Sequence, residues 1–439
     1  MKILITMVGP WLDKGEAAMI IATAKDLKEK FPYAEITILK NSLKEIDIIE
    51  YSKYELKVIP SLFQSVYSVL SNNKLEFLRF KVLKMIAFLP ILLKPIFTNT
   101  IWCLIYKYLR IDTRFMMGNN RGIVKTYKDM DCYIFCGGQN LTNLSPVLIM
   151  NLYEIIFSKL LGKPVMIWAN SLGPFNPKYI QPFIKLVINK VDLITTREAI
   201  SKKILDKIGV IAPTYVTADA AFTLPSISQE NAKTLLEQAS GISTNEFMVG
   251  ITAIPWNFPE IKSNASEKFE NYLDALAGAS DYLIEKFNAY VIFFPQVIIP
   301  LIKDDRPVSR KVFDKIKNKS KVAVLTNDYT PEQIKGMYGC MELLIGTRFH
   351  SCILAQSMYV PTIAIEYDGH KALGIMRLLE LEDYVCDINT ITKDELISKI
   401  DMIWAEIDNV KKKLEKNIKK MQDKSKENLQ LAIKYLGLS

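Results

Sequence analysis

Two histidines occur in the 439 residues, His350 and His370, and each stands just after a short apolar run of the kind that forms a buried strand. The first follows Met341-Glu342-Leu343-Leu344-Ile345, in Gly346-Thr347-Arg348-Phe349-His350. A helix beginning near Phe349 and capped by Thr347 presents backbone amides to an anion beside the Arg348 guanidinium. His350 then lies in the same turn, placed to give or take a proton. This combination suits acid/base chemistry on a phosphate or carboxylate. His370 comes in Glu366-Tyr367-Asp368-Gly369-His370-Lys371, where a structural histidine is the simpler reading.

Four other polar stretches also follow apolar runs. They are Asp13-Lys14-Gly15-Glu16, Gly137-Gly138-Gln139-Asn140, Asn170-Ser171-Leu172-Gly173-Pro174-Phe175 and Thr196-Arg197-Glu198 with Ser201. Paired glycines let backbone amides approach an oxyanion closely. Each stretch is weak alone, because loops of any α/β protein carry Gly, Asn and Pro. Phosphate-loop, H-E-x-x-H, G-x-S-x-G and strand-following G-x-G-x-x-G patterns are absent, which withdraws support from ATP hydrolysis, zinc proteolysis, serine-hydrolase chemistry and simple NAD binding. Six cysteines lie mostly in apolar runs without paired spacing, so they read as reduced core residues of a cytosolic protein, and no metal site is expected.

Such loops need strands to end at them. With 49% hydrophobic residues the chain can fill two cores. Strand candidates are 2–8, 35–40, 56–59, 132–136, 164–169, 192–195 and 214–217, then 247–252, 289–294, 321–325, 341–346 and 361–365. Helical patterns separate them, which predicts α/β architecture with parallel sheets in two doubly wound domains. A polar, Pro-containing stretch beginning at Leu224 suggests the linker, giving domains 1–228 and 229–439. From 393 to 439, apolar residues at helical spacing predict a long terminal helix.

Residues 60–110 break the alternation. They hold seven cations (Lys74, Arg79, Lys81, Lys84, Lys94, Lys107, Arg110) against Glu76 alone, a large part of the net charge of +9. Met85 to Tyr106 has Lys94 as its only charge, and on length alone it could cross a bilayer, which takes ~20 residues. Pro90, Lys94, Pro95 and Asn99 argue instead for a broken helix in the membrane interface, with Phe77, Phe80, Phe88, Phe97 and Trp102 docking and the cations reaching anionic headgroups. A helical hairpin covering one edge of the first sheet is the other reading. The cluster is too apolar for a nucleic-acid face, so no nucleic acid is expected.

Taken in order, these stretches resemble the polysaccharide pyruvyl transferase family. The carriers are Asp13-Lys14-Gly15-Glu16, where the family has Asn-x-Gly-Asp, then Gly137-Gly138-Gln139, Asn170 to Phe175, Thr196-Arg197-Glu198 with Ser201, and Ala218-Asp219-Ala220-Ala221-Phe222. Gly346-Thr347-Arg348-Phe349-His350 and Lys371 with Gly374 complete the set, and Arg-x-His with the later Lys-x-x-Gly is its most specific part. The resemblance implies two Rossmann-like domains facing a cleft, as in GT-B glycosyltransferases, with a C-terminal helix that returns to the first domain.

It also implies phosphoenolpyruvate as donor substrate, with no further cofactor. A saccharide diol, free or lipid-linked, is the implied acceptor, and the products are a pyruvate ketal and phosphate. Under it Arg197, Arg348 and Lys371 hold the donor anions, and Gly137, Gly138, Asn170 and Ser171 bind substrate. His350, Asp13 and Glu16 are catalytic, the two acids facing the acceptor. The expected location is the cytoplasm, peripheral on the inner face of the membrane. Two other functions fit the same residues: a GT-B glycosyltransferase using a nucleotide sugar, and a non-catalytic membrane-associated scaffold of polysaccharide assembly.

Overall fold

The computed structural model describes residues 1–71, 81–111, 120–259, 263–300, 303–367, 369 and 371–438. The chain divides into two compact units. The N-terminal unit comprises Met1–Trp11, Met19–Asp219 and Ser425–Ser439, and the C-terminal unit comprises Leu12–Ala18 and Ala220–Lys424.

Among the described residues the N-terminal unit is built on seven strands: β1 (Lys2–Thr6), β2 (Glu35–Lys40), β3 (Lys57–Pro60), β4 (Cys132–Cys136), β5 (Val165–Asn170), β6 (Leu193–Thr196) and β7 (Thr214–Val216). They pair in parallel in the order β3-β2-β1-β4-β5-β6-β7. All of Cys132–Cys136 and Val165–Asn170 is buried, as expected of central strands with helices on both faces.

The C-terminal unit has β8 (Met248–Thr252), β9 (Tyr290–Phe293), β10 (Ile298–Ile299), β11 (Lys303–Asp304), β12 (Val322–Val324), β13 (Leu343–Gly346), β14 (Thr362–Glu366) and β15 (Val385–Asp387). β10 and β11 form an antiparallel pair, and the rest form a parallel sheet in the order β12-β9-β8-β13-β14-β15. Both large sheets are therefore doubly wound. Their strand order reverses beside β1 and β4 in one and beside β8 and β13 in the other, and ligands of open α/β sheets bind at the carboxyl ends of such strands.

Two short segments cross the chain order. Leu12–Ala18 joins the C-terminal unit because Asp13 bridges Val297, the Lys14 amide donates to the Gln296 carbonyl at 3.0 Å, and the Ile298 amide donates to the Leu12 carbonyl at 2.9 Å. Residues 393–436 form two helices, Lys393–Ala405 and Ile407–Leu436, broken at Glu406. Ser425–Ser439 packs with the N-terminal unit, where Asn428 donates to the Ala218 carbonyl at 3.2 Å and accepts from Thr217 at 2.8 Å.

Among the described residues, the apolar part of this region does not break. A single helix, Lys81–Leu109, runs through Pro90 and Pro95, each of which removes one backbone hydrogen bond. Side-chain packing of Leu92, Trp102 and Cys103 into the N-terminal core holds it against the helix Pro146–Leu160. Trp102 is therefore a core residue and not a docking side chain, whereas Phe97 is exposed. Phe77 and Phe80, like His370, lie outside the described residues.

Candidate active site

In the C-terminal unit β8 and β13 end side by side, and Thr347 and Arg348 follow directly from β13. The helix Phe349–Gln356 begins where expected, but its N-cap is Arg348 without a side-chain cap. Thr347 does not cap it. Its hydroxyl instead meets Tyr272 at 2.8 Å. The Thr347 and Arg348 amides both turn to Thr252 Oγ1, at 3.0 and 3.2 Å, which ties the start of this helix to the end of β8.

Arg348 is held by a carboxylate that sequence spacing did not point to. Asp305 is fully buried and accepts from Arg348 Nε at 3.0 Å and from Nη2 at 2.5 Å. Asp305 also accepts from the Gln296 and Val297 amides at 3.1 and 2.9 Å. Burial works against the guanidinium charge, but Asp305 outweighs it, with smaller help from Tyr367 and Asp13, and Arg348 stays protonated above its ordinary value. The one sequence signal for Asp305 was an acid at a helix start, which reads equally well as capping.

His350 is fixed by a glycine. A β-carbon on Gly15 would lie 2.2 Å from His350 Nδ1, so the imidazole packs directly on the Gly15 backbone and only Gly fits. The same stretch begins the helix Lys14–Lys30, with Asp13 Oδ1 accepting from the Glu16 amide at 3.3 Å. Lys14 is buried and paired with Asp328. Lys371 opens the helix Lys371–Leu378 with its ammonium 5.3 Å from the centre of the Tyr367 ring. Asp13, Arg348, His350 and Lys371 thus gather in one unit, linked through Asp305, Gly15 and Tyr367, and Glu16 lies one helical turn from Asp13.

Beside Tyr367 a cavity of about 450 Å³ is lined by Trp256, Glu366, Asp387 and Asn389. Trp256 meets Tyr367 edge-on, with ring centres 5.0 Å apart. Burial raises the Glu366 carboxyl, while hydrogen bonds from the Ala372 and Leu373 amides oppose the shift.

The remaining predicted residues gather in the N-terminal unit, at the ends of β4, β5 and β6. A β-carbon on Gly137 would meet the Met7 carbonyl oxygen at 2.2 Å, so this position also requires Gly. The Ser171 amide donates to the Gly138 carbonyl at 3.1 Å. Asn170 is buried and donates to the Phe135 and Trp168 carbonyls at 2.8 and 2.9 Å. Arg197 donates from Nε to Ser171 Oγ at 2.8 Å and from Nη1 to Asp219 Oδ2 at 2.7 Å, both ends of that ion pair being fully buried. Glu198 caps the next helix through the Ser201 amide at 2.8 Å.

Residues 14–369 match the family described as polysaccharide pyruvyl transferase. The chain belongs to that family. A further relative is the amylovoran biosynthesis protein AmsJ of Erwinia amylovora, 23% identical over 277 residues, or 62% of this chain. The match spans 65% of that relative's length.

Solved structures with the same fold include the UDP-GlcNAc 2-epimerase of Neisseria meningitidis, with a TM-score of 0.58 at 12% identity covering 99% of this chain and 100% of that one. Anabaena Alr3699/HepE, solved with UDP and glucose, gives a TM-score of 0.54 at 14% identity with both chains covered in full. The family member described here therefore shares the GT-B fold of two Rossmann-like sheets and a C-terminal helix.

Proposed function

We propose that the protein is a transferase of polysaccharide biosynthesis that moves the enolpyruvyl group of phosphoenolpyruvate onto two hydroxyls of a saccharide. The products are a pyruvate ketal and inorganic phosphate. The observation that carries this reading is the Arg348 guanidinium, anchored by Asp305, in one cluster with His350 and Lys371.

The donor brings a phosphate and a carboxylate, which Arg348 and Lys371 would hold. His350 gives a proton to the methylene carbon, making C2 electrophilic. One saccharide hydroxyl then adds to C2, the bond from C2 to the phosphate oxygen breaks, and the second hydroxyl closes the ketal. Of the two hydroxyl protons, one restores His350 and the other leaves with phosphate. Asp13, whose Oδ1 accepts from the Glu16 amide, is the proposed relay that takes the second of these protons from its hydroxyl and passes it to the phosphate, and Glu16 supports it. Fixed cations stabilise charge that develops on the departing phosphate.

A saccharide ring suits the cavity beside Tyr367, where Trp256 offers an aromatic face and Glu366 and Asp387 offer hydroxyl acceptors. The acceptor is free or lipid-linked, and the proposed place of action is the cytoplasmic face of a membrane.

Thermal unfolding with phosphoenolpyruvate, UDP, CMP and phosphate titrated separately tests the donor, because a ligand that binds only the native state raises the midpoint. A selective rise with phosphoenolpyruvate, lost in Arg348→Ala, followed by acceptor-dependent phosphate release, is the expected result. A rise with a nucleotide alone replaces this reading with a nucleotide-sugar glycosyltransferase.

A further inference from the structure

The helix Lys81–Leu109 has two unlike sides. On one, Leu92, Asn99, Trp102 and Cys103 are buried, Trp102 lies 6.4 Å from the Phe157 ring, and Tyr153 donates to the Ile96 carbonyl at 3.0 Å. On the other, Leu89, Leu93, Phe97, Ile101, Leu104 and Tyr108 are exposed, Phe97 to 67%. Steps of four, four, four, three and four residues set these six in one stripe, about 28 Å long at helical rise. A continuous apolar stripe of that length is unusual on a surface that meets only water.

The charge on this helix has one sign. Residues 81–111 contain five Lys and Arg and no Asp or Glu. At the end of the stripe a separate cavity of about 330 Å³ is lined by Lys107, Arg110, Lys128 and Lys163 around Tyr106, with no acid in its described lining. The Lys128 ammonium sits 4.2 Å from the centre of the Tyr106 ring.

We propose that this face lies flat on an anionic bilayer, with the stripe among the upper acyl chains and the four cations around a lipid headgroup phosphate. Apolar burial and headgroup attraction are the two terms that hold an interfacial helix, and this helix and its C-terminal end supply groups for both. Ala87–Leu109 is long and apolar enough to cross a membrane, but its opposite side is committed to the N-terminal core through Trp102, which leaves a parallel orientation. A nucleic acid would satisfy the cations and leave the stripe in water.

The test is co-sedimentation of the full chain with phosphatidylcholine vesicles, with and without phosphatidylglycerol. The expected result is partitioning about tenfold or more stronger with phosphatidylglycerol, weakening as salt rises. Phe97→Asp and the double variant Lys107→Glu/Lys128→Glu should each lower it about tenfold at an unchanged thermal midpoint. Ile211→Ser, at an exposed apolar residue elsewhere in the same unit, should leave it unchanged.

Equal partitioning into both vesicle types, wild-type binding by the two variants, or equal loss with Ile211→Ser overturns the proposal. So does stabilisation by inorganic phosphate, or binding to RNA, without vesicle binding. The readout needs neither donor nor acceptor, so it stands or falls separately from the ketal-forming reading.

Discussion

Each unit carries an arginine that follows a strand-ending segment, with a threonine before it and a buried aspartate as partner. In the N-terminal unit Arg197 is 1% exposed, and its donors reach Asp219, Ser171 and the Met19 sulfur. In the C-terminal unit Arg348 is 13% exposed, and its neighbours include Asp13 and Tyr367 besides Asp305. The same local sequence, Thr-Arg, thus serves two ends. A fully buried, ion-paired guanidinium contributes to stability, whereas one anchored from behind keeps an edge that a ligand anion can meet. Exposure and the placement of the carboxylate separate the two cases, and residue type does not.

Four substitutions test that contrast. The largest effect is expected from Arg348→Ala, with phosphoenolpyruvate-dependent phosphate release falling about 10³-fold at near-native circular dichroism. Activity within tenfold of wild type would erase the difference between the arginines. Arg197→Ala should act on stability, costing about 3 kcal/mol in urea unfolding because it removes one partner of a buried pair. An unchanged midpoint would show that Asp219 does not depend on it.

Glu154 asks whether the N-terminal unit's buried polar groups serve packing. Burial pushes its carboxyl up to about 7, against the hydrogen bond that Thr6 donates to it. The folded state therefore binds the proton more tightly than the unfolded state, and stability is lost as pH rises from about 4.5 to 7. Glu154→Gln should remove that loss, on the order of 3 kcal/mol, so the variant gains on wild type between pH 5 and pH 8. Parallel unfolding midpoints at both pH values would refute this. The smallest effect is expected from Gly15→Ala, whose new methyl displaces His350 and should slow turnover about tenfold with donor binding kept.

Strands were the legible part of the fold. Runs such as Cys132–Cys136 and Leu343–Gly346 announce themselves because a buried parallel strand is apolar throughout. β15, three residues long, and the β10–β11 pair, two residues each, are too short to show a period. Local propensity predicts an interruption at Pro90 and Pro95, and only tertiary packing carries the helix through them.

In the site, the loops after strands could be located from sequence. Their partners could not. Asp305 lies 43 residues from Arg348 and Asp219 lies 22 from Arg197, separations that carry no periodic signal. The assignment of Thr347 as a cap failed for a related reason, because Tyr272, 75 residues away, claims its hydroxyl.

The way the units interrupt each other has a consequence for synthesis. Leu12–Ala18 leaves the ribosome early, yet its backbone partners Gln296, Val297 and Ile298 come some 280 residues later. Met1–Trp11 and Met19–Asp219 in turn lack Ser425–Ser439 until some 200 residues more have been made. Neither unit can be completed from a contiguous stretch of nascent chain. Such long-range closures make folding slow, and they oppose any attempt to express either half by cutting at the obvious boundary.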